Sequence, residues 1–548
     1  MICRITVAAL AAILLAADPA GAAVQDARAV LASTTQAMGT QKLTSVVVSG
    51  AASDVNFLQT KSIQGPWPLR PITGFTRVID LSQMAMRSTG QTNNASPLGG
   101  PRVTGNYTQN IPATATTWAQ QLDYWVTPWG FLKGAATNNA TARTQRVNGK
   151  NYTVLTWSPA GLKAPSGIAY TVNGYISDRN LLDRVETWVE HDILGDMYVE
   201  NLYSEYRDFE GLKVPTRIVQ KRGGWPYFET EVTAVRANPA DLAELLPAPG
   251  GRGGGGGGGG AGRGAGAGGG RAGGAAAGAP AAGQGAQPAA GAVPPVPTAT
   301  GAAPAAPPRG GAGGGGGGGG GGARGAAGAT PGPSSEKLAD NVYKINGNYN
   351  ALAVAFRDYV AVIEAPQNIA RGEAILAEVK KVFPGKPVRY IINSHPHADH
   401  AGGLAPFLAE GAILVTHDNN KKFFEDAYSS KRTLLNDSLA KSGMKVKIET
   451  IGSKRIIRDD NHSIELYHIT DKDPEKVHSD GILVALLPRE RILFQADFAL
   501  PNPGSTIPYT TSLAEHVDRL KLDFDSYISA HNSSAPQTRA DLMRVIGK

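Results

Sequence analysis

Apolar and polar positions alternate over residues 45–49, 75–81, 152–157 and 168–176, the period-two pattern of strands with one buried face. A short helical pattern over 25–38 precedes them. Two hairpins follow, one over 174–190 turning at Asp178-Arg179-Asn180 and one over 197–220 turning at Glu210-Gly211. A last strand is predicted over 225–235, so the region 24–248 reads as a β-rich domain. Past residue 335 the rhythm changes. Short strands over 341–345, 351–356 and 360–364 lead into a helix over 369–382 and an apolar strand over 388–393. Helix, strand 412–416 and helix come next, and strands over 464–469, 482–487 and 492–494 close the pattern. The region 335–548 is therefore an α/β domain.

Composition divides the 548 residues in the same places. Residues 249–334 are almost entirely Gly, Ala and Pro, with runs over 253–260 and 313–322. Such a segment has nothing to bury, so a disordered linker is expected, with an end-to-end distance of about 50 Å. At the start, Arg4 precedes an apolar run over 5–17 and the small residues Ala20-Gly21-Ala22-Ala23. That order reads as a cleaved signal peptide over 1–23, which implies a secreted or periplasmic protein. No later run is long enough for a spanning membrane segment. The only cysteine is Cys3, so the mature chain can form no disulfide, thiolate metal site or cysteine nucleophile. Of the net charge of +7, five arginines lie in the linker, while 335–548 balances 27 basic against 27 acidic residues. No region carries the basic face of a nucleic-acid binder.

The chemistry is concentrated after the strand 388–393, in Ser394-His395-Pro396-His397-Ala398-Asp399-His400. Three histidines and an aspartate within six positions put nitrogen and oxygen donors on one loop. Its extended part directs His395 and His397 to one side, and the turn into the helix redirects Asp399 and His400, so one loop can serve two adjacent metal ions. Imidazole suits Zn²⁺, Cu, Fe or Ni, and carboxylate adds a hard ligand. Nine of the ten histidines lie in the last domain, with only His191 upstream.

The H-x-H-x-D-H pattern resembles the signature of the metallo-β-lactamase superfamily. Val477-His478-Ser479-Asp480-Gly481 is similar to the family's later histidine segment. Arg491 to Asp497 resembles its strand ending in an aspartate, and Ser529-Ala530-His531-Asn532 its last histidine. The resemblance covers about 338–540 and implies an αββα sandwich. It implies that His395, His397 and His478 hold one ion, that Asp399, His400 and His531 hold a second, and that Asp497 bridges. Three positions depart from the pattern: Ala496 stands where glycine is usual, Asp471 to Lys476 replaces a short link, and Glu364 stands where an aspartate is common. Ahead of the linker, the helix and its antiparallel strands resemble the half-barrel of periplasmic lipoprotein carriers, which implies a lipid-binding module.

The implied activity is an exported, dinuclear zinc hydrolase. A metal-bound hydroxide, available near neutral pH, attacks an ester, lactone, lactam or thioester carbonyl of a small-molecule or lipid-like acyl substrate. Asp399 would orient the nucleophile as well as ligate. A β-lactamase with an all His/Asp site, and an iron-dependent oxidoreductase on the same fold, are the alternatives. Ser438 to Lys441 fits S-x-x-K but lacks its partner motifs, and no G-x-S-x-G elbow or phosphate loop is present. Of the remaining histidines, His417 reads as a structural or loop residue. His468 reads as a support for a ligand at most, and His462 and His516 read as surface positions.

Overall fold

The computed structural model describes residues 24–65, 67, 69–94, 103–246, 334–502, 504–531 and 536–548. The expected signal peptide, and the linker up to residue 333, lie outside the described residues.

Among the described residues the N-terminal region builds one antiparallel sheet of twelve strands. From one edge it runs through Val24–Gln25, Thr141–Val147, Lys150–Trp157, Val172–Ile176, Leu182–His191, Gly195–Phe209, Leu212–Arg222 and Trp225–Ala237. It then returns to Ser45–Asp54, Arg70–Asp80, Ala85–Asn94 and Val103–Ile111. Both expected hairpins are present with their turns, and the expected helix spans Ala27–Ala37. Two helices absent from the sequence reading, Trp118–Trp125 and Pro128–Thr137, pack on the sheet. Their side chains Trp118, Leu122, Trp125, Trp129, Phe131 and Leu132 join the sheet residues Leu155, Trp157, Val185 and Val199 in one core. A small cavity of about 10 Å³ lies beside Thr127, Pro128 and Trp129. A more open groove of about 430 Å³ is lined by Arg179, Asp183, Glu205 and Arg217 beside tyrosines.

The C-terminal region is the expected αββα sandwich. The first sheet runs antiparallel through Ser334–Ala339, Val342–Asn346, Ala351–Ala355 and Val360–Ile363, then parallel through Val388–Ile392, Ile413–His417 and Ile448–Ile451. The second holds Lys454–Arg458, Ser463–His468, Leu483–Leu487, Ile492–Gln495 and Ser526–Ser529. The inner faces meet in a core that includes Leu352, Val354, Ile392, Val415, Leu466, Ala485 and Phe494. Helix Ile369–Val382 and its neighbours cover the outside of the first sheet, and Pro508–Leu520 covers the second. Strands buried on both faces are apolar, and Val388–Ile392 is buried at every position but Arg389. Two glycines let the backbone close around the loop that follows. A Cβ at Gly402 would lie 2.1 Å from the carbonyl oxygen of Gln367, and one at Gly372 would lie 2.1 Å from that of Gly403.

The two regions form one compact unit. Val55, Leu58, Ile63, Trp67 and Ile193 of the first share a core with Ile369, Ala401, Leu404 and Phe423 of the second. The Arg432 guanidinium, buried against Asp437, donates to the carbonyls of Asp192 at 2.7 Å and Ile193 at 3.2 Å. Among the described residues, no helix is long and apolar enough to cross a membrane.

Candidate metal centre

Strand Val388–Ile392 delivers the chain into the histidine loop at the end of the first sheet. Asn393 bonds to the Val415 carbonyl at 2.9 Å, and the Ser394 N–H donates to Glu364 Oε1 at 2.8 Å. The loop then turns through the short helix Ala398–Ala401. His395, His397 and His400 are 0%, 1% and 0% exposed. From the second sheet, His478 precedes Leu483–Leu487 and Asp497 follows Ile492–Gln495. His531 follows Ser526–Ser529 and pairs through its backbone with Tyr349.

The seven side chains picked from the sequence converge in two overlapping groups. His395, His397, His478 and Asp497 bring one ligand atom each within 4.8 Å of one another, and so do Asp399, His400, Asp497 and His531. In the first, His395 Nε2 is 2.9 Å and His478 Nε2 3.2 Å from His397 Nδ1. In the second, His531 Nε2 is 3.3 Å from His400 Nε2. Asp497 stands in both, with Oδ2 at 3.1 Å from His395 Nε2 and 3.0 Å from His400 Nε2, and Oδ1 at 2.7 Å from His531 Nε2. Ala496 does not push Asp497 outward: its methyl is fully buried in the core between the sheets.

The outer ring nitrogens set what the inner ones can do. His397 Nε2 faces the Thr60 carbonyl at 3.0 Å, an acceptor only, so it carries the proton and Nδ1 turns a lone pair inward. His400 Nδ1 faces Glu364 Oε2 at 2.5 Å, which leaves Nε2 as the nitrogen turned inward. His395 Nδ1 has the Ser394 hydroxyl at 2.9 Å. Burial, then the neighbouring imidazoles, hold His395 well below the ordinary histidine range, and burial takes His397 down to about 4. His400 goes the other way. Burial opposes its charge, but Asp497, Asp399 and Glu364 outweigh it and hold the pKa well above the ordinary range.

Converging imidazole lone pairs among buried carboxylates are what a divalent cation would satisfy. Asp497 Oδ2 is buried without a hydrogen-bond partner. Nitrogen and oxygen donors with no sulfur suit zinc or iron alike. The open side is formed by His531 and Asp399, whose side chains are 38% and 27% exposed.

Several residues beside the site were not picked from the sequence. Gln59 Nε2 donates to Asp399 Oδ1 at 2.5 Å, and the Tyr349 hydroxyl donates to Oδ2 at 3.1 Å. Glu364, noted only as a departure from the family pattern, is fully buried with a positive φ of 74°. Within residues 471–476, Pro474–Lys476 makes a 3₁₀ turn, and Lys61 donates to the Pro474 carbonyl. His417 caps helix Asp418–Ser429 and lies 3.7 Å from the His468 ring, which faces the Asp480 carbonyl rather than a ligand. His462 is not a surface residue: it is buried, with Nδ1 paired to Glu490 Oε1 at 2.8 Å.

Residues 367–503 match the sequence model of the metallo-beta-lactamase superfamily. The chain is 24% identical over 206 residues to the 2,4-dinitroanisole O-demethylase subunit alpha of Nocardioides sp. (strain JS1661). That match spans 37% of this chain and 58% of the relative's length. Among solved structures, a metallo-beta-lactamase from Pontibacter korlensis aligns over 39% of this chain and 98% of its own, at 14% identity and a TM-score of 0.30. One from Hirschia baltica aligns over 39% and 95%, at 18% identity and a TM-score of 0.29.

Proposed function

We propose that the C-terminal domain, whose residues 367–503 match the metallo-beta-lactamase superfamily model, is a dinuclear zinc hydrolase acting on an acyl bond. The substrate class is an ester, lactone, lactam or thioester, met outside the cytoplasm after export. The observation that carries the reading is Asp497, which stands between the two histidine groups, with Oδ2 facing His395, His478 and His400 and Oδ1 facing His531 at 2.7–3.4 Å. In it, His395, His397 and His478 would hold one ion and Asp399, His400 and His531 the other, with Asp497 available to both. Bound there, the ion pair supplies charge that lowers the pKa of water and polarises a carbonyl.

The chain's own residues do the remaining work. Thr60, Ser394 and Glu364 hold three imidazole rings in place through the outer nitrogens. Asp399 stands at the solvent edge, where its carboxylate can orient a water molecule. Burial and Asp399 push the Tyr349 hydroxyl above its ordinary pKa, so it stays protonated and can donate to a substrate oxygen. The buried side of the site excludes water, so substrate enters past His531 and Asp399.

The test is a hydrolysis panel of lactam, lactone, thioester, ester and aryl methyl ether substrates on the full chain, before and after chelation. The ether is included because of the relative named as an O-demethylase. Acyl hydrolysis that chelation abolishes and zinc restores supports the reading. Iron content with oxygen consumption, or ether cleavage alone, replaces it.

A further inference from the structure

Residues 55–69 connect the paired strands Ser45–Asp54 and Arg70–Asp80 of the N-terminal sheet, where a tight turn would suffice. A connection this long inside a compact unit has a role of its own. Its base is held by its own domain: the Val55 N–H donates to the Tyr227 carbonyl at 3.1 Å, and Trp67 stacks on Trp225 at 4.7 Å. Its apolar side chains Leu58 and Ile63 are buried in the core of the C-terminal domain.

Four successive residues at the tip then meet the segments that carry the candidate ligands. The Leu58 carbonyl accepts from the Ala398 N–H at 3.1 Å, and the Lys61 carbonyl from the Asp480 N–H at 2.9 Å. Between them, Gln59 Nε2 donates to Asp399 Oδ1 at 2.5 Å, and the Thr60 carbonyl accepts from His397 Nε2 at 3.0 Å. We propose that this loop completes the metal centre from the other domain, with Gln59 and the Thr60 carbonyl as positioning groups for Asp399 and His397. This rests on the dinuclear reading above.

The physical case follows from what each contact leaves free. A carboxylate can rotate about its terminal torsion between two roughly equivalent orientations. Gln59 fixes Oδ1, which commits Oδ2 to the side of His400 and His531, at 3.5 and 3.8 Å. The Thr60 carbonyl fixes the proton of His397 on Nε2 and so keeps Nδ1 as a donor for the other ion. The N-terminal domain is thereby part of the site, and the two ions depend on it through different contacts.

The experiment uses the full chain stripped of metal and titrated with zinc against a chromophoric chelator. Wild type is compared with Gln59→Met, which keeps length and packing but has no donor, and with Gln59→Glu, which sets a second carboxylate against Asp399. Both variants should bind the first equivalent as wild type does and the second about 10–100-fold more weakly, the usual effect of removing an outer partner of a ligand. Both affinities are read only from folded molecules, so partial unfolding does not imitate the split. Wild-type affinity for both equivalents in Gln59→Met overturns the inference. Equal weakening of both equivalents also overturns it, because Gln59 would then serve docking rather than Asp399. A wild-type chain that binds no zinc removes the dinuclear reading, and this inference with it.

Discussion

Glu364 Oε2 lies 2.5 Å from His400 Nδ1, and both side chains are fully buried. The other Glu364 oxygen accepts from the Ser394 N–H, so one carboxylate ties the end of strand Val360–Ile363 to the start of the histidine loop and to its last histidine. Glu364→Gln keeps the shape and the bond to Ser394 but loses the charge that holds the proton on Nδ1. Zinc affinity should fall about 10–100-fold while the fold survives. Competition titration checks this, and wild-type affinity would show that Ser394, not His400, is the partner that matters.

Asp497→Asn tests the shared carboxylate. Asparagine keeps the shape but cannot bridge as an anion. The variant should take up clearly less than the second equivalent of zinc, with turnover reduced by orders of magnitude. If stoichiometry recovers at excess zinc, Asp497 supports a ligand and does not bridge. Wild-type metal content and turnover together would remove it from the site.

How much of this the sequence disclosed depended on distance along the chain. His395, His397, Asp399 and His400 are legible because six residues after an apolar strand hold all four. His478, Asp497 and His531 each follow or precede an apolar strand in an order that the family pattern supplies. Gln59 is 340 residues from its partner Asp399, and nothing near it marks a contact that only tertiary docking creates. Strand Ala85–Asn94 escaped because its residues are mostly polar and its pairing to Arg70–Asp80 comes from the backbone ladder. Helix Trp118–Trp125 did leave a signal, the Thr117–Gln120 capping box, ahead of apolar positions at helical spacing.

The docking between domains should depend on Arg432. Its side chain and that of Asp437 are each 4% exposed, and Arg432 also serves two carbonyls of the other domain. Arg432→Met strands the Asp437 carboxylate in the interior and should destabilise the chain by about 3–5 kcal/mol in urea unfolding. Replacing Asp437 with leucine in the same chain should restore part of that loss, since no uncompensated charge remains. An unchanged midpoint for Arg432→Met would show that water reaches the pair.

Stability should also fall in acid through His191. Its Nδ1 accepts from the N–H groups of Ile193 and Leu194, each at 3.2 Å, so the ring is neutral in the fold. Burial, then the positive charges of Arg432 and Arg222, lowers its pKa to about 4 from an ordinary 6.5. A base with a depressed folded pKa contributes fully above 6.5, and that contribution is lost as pH falls from 6.5 towards 4. His191→Asn keeps an acceptor at the same place without the titration. Thermal melts across that window should show a shallower loss for the variant, and parallel curves would contradict the assignment.

On the proposed function, His395, His397, His478, Asp399, His400, His531 and Asp497 hold a pair of ions on which hydrolysis depends. Elemental analysis of the purified full chain, followed by zinc titration of the stripped protein with acyl hydrolysis monitored at each step, tests it most directly. Two equivalents of zinc per chain are expected, with turnover that rises as they bind. Full turnover with metal loss confirmed, or a chain that takes up no more than a trace of any divalent ion, would contradict it.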